Sequence, residues 1–144
     1  MSILKTKIDY TLFEKYDKEY FIENKIVPIY EDSISLKIAI CPSSNIDKIK
    51  DDFVKIVNFI EEKEHDILFI LANIEKRVIL HKAALKSISS NDDEKFTSYF
   101  LDELILYSIE QRASDIHIEK YQDLCLFKFR VDEIGRAHVW TPVT

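Results

Sequence analysis

Glycine is almost missing from this chain: Gly135 is the one glycine in 144 residues. A loop that cradles phosphates needs several glycines, so that main-chain N–H groups can close on the oxygens, and the chain offers no such loop. Cysteine is scarce too. Cys41 and Cys125 lie inside apolar runs without CxxC spacing, which argues against a disulfide framework and a zinc site and fits small core residues in a reducing compartment. Positive charge is in deficit, with Lys+Arg 20 against Asp+Glu 26 and a formal net charge of -6. The long-range attraction behind non-specific nucleic-acid binding is therefore lacking, and no nucleic-acid partner is expected. Every apolar run falls well short of the ~18 residues that a membrane span needs, and the N-terminus MSILKTKIDYTLFEKYD has no apolar signal core. The expectation is a cytoplasmic protein with no direct membrane insertion.

What the chain does have is 47% hydrophobic residues, enough to bury the core of one ordinary domain or two small ones. In Thr11–Asn24, Leu12, Phe13, Tyr16, Tyr20 and Phe21 recur mostly three or four apart, which predicts a short amphipathic helix. Ile26–Tyr30 and Ile34–Cys41 are β-rich runs joined by the turn-like Glu31-Asp32-Ser33, and Pro28 places the first at a sheet edge or at a strand start. Asn45 stands where an N-cap belongs, and Ile46, Ile49, Phe53, Ile56, Val57 and Ile60 then fit one helical face. Asp66–Ala72 (DILFILA) reads as a buried strand, and Asn73 as the cap of a helix to about Ile88. The predicted fold class is α+β: a small α/β module over 1–88 in the order α-β-β-α-β-α, a polar linker over 89–94, and a second module over 95–133. In that second module Phe96, Phe100, Leu104, Ile105, Tyr107 and Ile109 predict a helix ending near Arg112, followed by a β-hairpin.

Residues 134–144, IGRAHVWTPVT, hold the only Gly and the only Trp after 133 residues rich in Ile, Lys and Asn. They match a translated sequencing adapter whose stop codon is read as Trp, and are set aside from fold reasoning as an artefact. By the same argument the codon for Glu133 takes only its first base from the gene.

In the hairpin, Asp115, His117 and Glu119 alternate with Ile116 and Ile118, while Cys125, Phe127, Phe129 and Val131 alternate with Lys128 and Arg130. A four-residue loop at Lys120–Asp123 would pair Asp115 with Lys128 and His117 with Leu126, gathering Ile116, Ile118, Cys125 and Phe127 on one buried face. The opposite face then carries His117, Asp115, Lys128 and Arg130. It can be an ordinary solvated face, since a cross-strand charge pair adds only about 0.2–1 kcal/mol, or it can be functional. One His with two carboxylates and no further ligand in reach does not make a metal site.

These residues resemble the secretion and pilus-assembly ATPase family, the motors of type II secretion, type IV pili and DNA uptake. Its members carry a helix running into A-S-D-I-H-I-E-P, a short loop, and a strand close to R-x-R-F-R-I-D-G. The counterparts here are Ala113–Glu119, with Lys120 for the proline, then Lys128, Phe129, Arg130, Val131 and Asp132, with Lys128 where the family has Arg. More faintly, Asn24–Ile29 and Ser35–Ile40 with Pro42 resemble the family's N-terminal α+β module. Some relatives bind cyclic di-GMP there through Gly-containing repeats that this chain lacks. The resemblance implies an N-terminal fragment of such a motor. Its first module would dock to an inner-membrane platform or assembly protein. Its second would begin a PAS-like domain that precedes a RecA-like core in a homo-hexamer. In the intact parent ATP and Mg²⁺ would be held by that core; this fragment would bind neither alone and would not be an enzyme. By resemblance, Arg130 and, more weakly, Lys128 would contact the ATP phosphates, no catalytic residue being assigned. Arg130 equally fits a surface ion pair, and the alternative to the motor fragment is a self-contained, non-enzymatic interaction or ligand-sensing module.

Overall fold

The computed structural model describes residues 3, 6–89, 93–120, 125–131 and 136–140, and the side chains of 3, 6–83, 85, 100–113 and 115 among them. The chain forms two compact units, with Ile8–Ile74 as the body of the first and Glu75–Thr144 as that of the second.

In the first unit, Asp9 accepts hydrogen bonds from the Thr11 N–H (3.1 Å) and hydroxyl (2.6 Å), starting helix α1, Leu12–Lys15. Asp17 caps α2, Lys18–Asn24, by accepting from the Glu19 N–H at 3.1 Å, which satisfies one of the donors a helix start leaves open. That helix stops at Lys25, whose φ of 54° and ψ of 51° are left-handed. Strand β1, Val27–Glu31, runs antiparallel to β2, Ser35–Ile40. The turn between them is held by Asp32, whose carboxylate accepts from the Ile34 and Ser35 N–H groups at 2.9 and 2.7 Å. These bonds favour the ionised carboxylate and hold its pKa below the usual value. Asn45 caps α3, Ile46–Asp52, through the Lys48 N–H at 3.2 Å, as its sequence position predicts.

Two expected elements are exchanged. The helix predicted through Ile60 ends at Asp52, and Ile56–Glu61 is strand β3, parallel to β2. The strand predicted at Asp66–Ala72 lies within helix α4, Glu64–Ala72. Periodicity alone does not separate a short apolar helix from a buried strand. Here β-branched Ile56, Val57 and Ile60 find a strand partner in β2, whereas Ile67, Ile70 and Leu71 recur at helical spacing and are buried, behind Glu64 and Asp66 in the first turn. The single helix expected over Thr11–Asn24 is two, α1 and α2, and Asn73, expected as the cap of a following helix, is the C-cap of α4. The sheet is ordered β1-β2-β3, and Phe13, Phe21, Val27, Leu36, Ile38 and Ile67 are fully buried.

The second unit contains α5, Ile74–Ser89, and α6, Asp93–Glu110, then the antiparallel sheet β4 (Ala113–Lys120), β5 (Cys125–Val131) and β6 (Arg136–Trp140), in that order. Residue 88, the expected module boundary, lies inside α5, and the expected linker at 89–94 falls partly on 90–92, outside the described residues. Helix α6 buries Phe100, Leu104 and Tyr107 and passes through Arg112, at φ 57°, into β4. Helix and strand content together make the protein α+β. Among the described residues no helix is long and apolar enough to cross a membrane. Residues 136–140, set aside from the sequence, pair with β5; ladder bonds are made by the main chain, so any short extended peptide can complete such an edge.

Candidate functional site

The first unit carries a cleft of ≈ 460 Å³, walled by Tyr16, Tyr20 and Phe53 with Lys15 and Lys55 among its lining residues. Its wall is an aromatic cluster. Phe53 meets Tyr16 and Tyr20 edge-on at 5.4 and 5.6 Å and stacks on Phe21 at 6.3 Å. Offset and edge-to-face pairs of this kind add about 0.5–1.5 kcal/mol beyond their burial, and they fix the ring directions.

The two tyrosine hydroxyls are already committed. Tyr20 donates to Asp52 at 2.7 Å, and Tyr16 donates to Glu31 at the end of β1. Burial raises the Tyr16 pKa, and the bond to Glu31 adds to it, so that the phenol is pushed up to about 12. Tyr20 moves in the same direction for the same reasons, with Asp52 in the place of Glu31. Glu31 also binds Lys15 and, at 3.0 Å, Lys55. Lys55 further donates to the Asp32 carbonyl at 2.6 Å. Burial alone would raise the Glu31 pKa, but the bonds from Lys15, Tyr16 and Lys55 outweigh it and bring it down to about 2.

These shifts decide the chemistry. Glu31, Tyr16 and Tyr20 are all driven away from neutrality, so none is poised as a general acid or base there. The arrangement is a cleft with an apolar wall and a charged rim, chemically able to receive an apolar or aromatic group. No group of three or more His, Cys, Asp or Glu able to hold a metal occurs among the described residues. Sequence reasoning missed this site. Glu31 lies 16, 15 and 24 residues from Lys15, Tyr16 and Lys55, and no motif marks those separations.

Cys41 is buried, as expected of a small core residue. Burial raises its thiol pKa, but the Ser43 and Ser44 hydroxyls, 3.4 and 3.5 Å away, outweigh that and leave it below the ordinary value.

The residues singled out from the sequence lie in the second unit. Its register corrects the expected one: Asp115 stands opposite Arg130 and His117 opposite Lys128, with Lys120 opposite Cys125. Strand β4 runs to Lys120 and β5 starts at Cys125, each one residue later than expected, which moves every partner by two. A shift of two preserves the alternation, so Ile116 and Ile118 still oppose apolar residues, now Phe129 and Phe127. A bulge between Ala113 and Asp115 sets where the pairing starts. Lys128 and Arg130 thus occupy alternate positions of β5, across from His117 and Asp115. No protein-family model matches the chain, and no curated protein matches it.

Proposed function

We propose that the chain is the N-terminal part of a secretion or pilus-assembly motor ATPase. The first unit serves as a docking module for an inner-membrane assembly protein, and the second begins the domain that leans on the nucleotide. The observation carrying this reading is the continuous passage from α6 through Arg112 into β4 and on to β5, in which Arg130 and Lys128 stand in register with Asp115 and His117. A strand held by a ladder fixes its alternate positions, which is what a cation aimed at a phosphate held by a neighbour requires. The chain has no phosphate-cradling loop of its own, so ATP and Mg²⁺ would be held elsewhere in the parent hexamer, with Arg130 and Lys128 as this chain's contribution. Leu101, Ile105 and Ile109 form an exposed apolar stripe on α6, suited to such a neighbour.

The test is the intact gene. Its reading frame should continue past Asp132 into a GxxxxGK[ST] loop, and in the purified parent Arg130→Ala should lower kcat about 10²-fold, the order seen when one preorganised charge-stabilising donor is lost. Arg130→Lys should restore part of it. A frame without a phosphate loop ends the proposal. A second reading, a self-contained interaction module, is favoured by the cleft, whose lining residues all belong to the first unit. It stands if that frame ends without a phosphate loop.

A further inference from the structure

The two edges of the first unit's sheet are treated differently. At one edge, β1 carries Pro28, which has no N–H to offer, and its register is broken by a bulge between Pro28 and Tyr30. Both features blunt an edge against pairing with another chain. At the other edge, β3 has neither. Its register with β2 runs unbroken from Ser35↔Ile56 to Ile40↔Glu61. The Ile56 N–H bonds the Ile34 carbonyl at 3.1 Å and the Glu62 N–H bonds the Ile40 carbonyl at 2.8 Å. Alternation along a strand then directs the even-numbered groups toward β2 and the N–H and C=O of Val57, Phe59 and Glu61 outward. No residue of β3 is fully buried, and Ile56 is 66% exposed. Among the described residues this edge is apolar and carries neither proline nor bulge, with Lys50 6.0 Å from the Phe59 ring as its nearest charged cover, and such an edge is a template for one more strand.

The sequence of that edge says which strand. Lys55-Ile56-Val57-Asn58-Phe59-Ile60-Glu61 is complementary to itself when read antiparallel. Centred on Asn58, a second copy places Lys55 opposite Glu61, Ile56 opposite Ile60 and Val57 opposite Phe59, each twice about a twofold axis. This register also sets the outward-facing Val57 and Phe59 against each other, as an antiparallel hydrogen-bonded pair requires. Two neighbouring registers satisfy the same rule: the one centred on Phe59 sets Val57 against Glu61 and Lys55 against Lys63, and the one centred on Val57 sets Lys55 against Phe59 and Ile56 against Asn58. Charge and apolar complementarity therefore select one arrangement, although the Lys55 ammonium already binds Glu31.

We propose that β3 is a homodimerisation edge: two copies of the chain join their three-stranded sheets across β3, antiparallel and centred on Asn58. The contact is isologous, as a twofold interface must be, and small, which makes the dimer weak and concentration-dependent. It shares Lys55 with the rim of the cleft and uses nothing of the β4–β5 hairpin, so it stands or falls independently of the motor reading.

Cysteine cross-linking of the full chain reads the register. In a non-hydrogen-bonded antiparallel pair the two Asn58 Cα atoms lie about 4.5 Å apart, inside the about 4.4–6.8 Å range of disulfides. Asn58→Cys should give a disulfide dimer under mild oxidation. Ile56→Cys, whose partner is Ile60 and not itself, should not. By sedimentation, Ile56→Lys should weaken self-association about tenfold, and mixing it with Ile60→Glu should restore a dimer through the Lys–Glu pair. Three results would each overturn the proposal: a chain monomeric up to about 1 mM, equal cross-linking at positions 56 and 58, or a dimer indifferent to Ile56→Lys. Association only with a strand of another protein would likewise rule out the second copy as occupant.

Discussion

Glu31 is the group on which the first unit's electrostatics turn, and Glu31→Gln tests it. The carboxylate ties α1 to the sheet through Lys15 and Tyr16 and holds the entry to β3 through Lys55. Its pKa falls from 4.5 to about 2 on folding. A shift of that size corresponds to about 3 kcal/mol of stability at pH 7 as an upper bound. Lys15 is 56% exposed, so water and salt screen part of that, and about 1–2 kcal/mol is the expected loss. The sign follows from the direction of the shift. A carboxylate whose pKa is depressed in the folded state contributes fully above the unfolded value of 4.5 and loses that contribution as pH falls toward about 2. Urea unfolding of the wild type and Glu31→Gln should be followed at the amides of Ile29, Ile38 and Phe59, which report on the β1-β2-β3 sheet alone. The two proteins should differ by about 1–2 kcal/mol at pH 7 and converge as the pH approaches 2. Equal stability at neutral pH would refute the reasoning, and so would a difference that stays constant down to pH 2.

At the alkaline end the sign reverses. Tyr16 is raised to about 12, so its contribution is complete below the ordinary value of 10 and is lost as pH rises through about 12; in the folded chain tyrosinate absorbance should lag that of the urea-unfolded chain, and Tyr16→Phe should remove part of the lag. Lys25→Gly should stabilise the first unit, because a left-handed φ of 54° costs a non-glycine residue about 1–2 kcal/mol, of which glycine's greater unfolded-state freedom returns roughly half. The expected net gain of about 0.5–1 kcal/mol should appear as a rise of about 2–8 °C in the melting temperature of a unit this small; an unchanged or lower value would show that the backbone at Lys25 is not strained.

Local chemistry made several features readable in advance. Asn45 could be recognised as a cap because a side-chain acceptor just before an apolar-periodic run has one helix-specific use, and the Asp32 turn because an acidic side chain can bond the N–H groups two and three residues on. The exchange of strand and helix between 56–61 and 66–72 was not readable. Both stretches are short and apolar, and what separates them is that one lies beside β2. The hairpin's alternation was legible, and its register was not, because a loop displaced by one residue leaves the alternation intact while moving every partner by two.

The sequence by itself determined the α+β class, the Asn45 cap, the turn at Asp32 and the lack of a phosphate-loop motif, since each depends on residues near one another or on composition. Only the tertiary structure brought Glu31 to Lys15, Tyr16 and Lys55, built the wall of the cleft from Phe53 and the tyrosines, and placed β1 and β3 at the two edges of the sheet. Those relations join residues far apart in the chain. Their free energy comes from burying the rings and from hydrogen bonds and ion pairs that outweigh the cost of desolvating the charges, and that depends on which surfaces meet when the sheet and helices close.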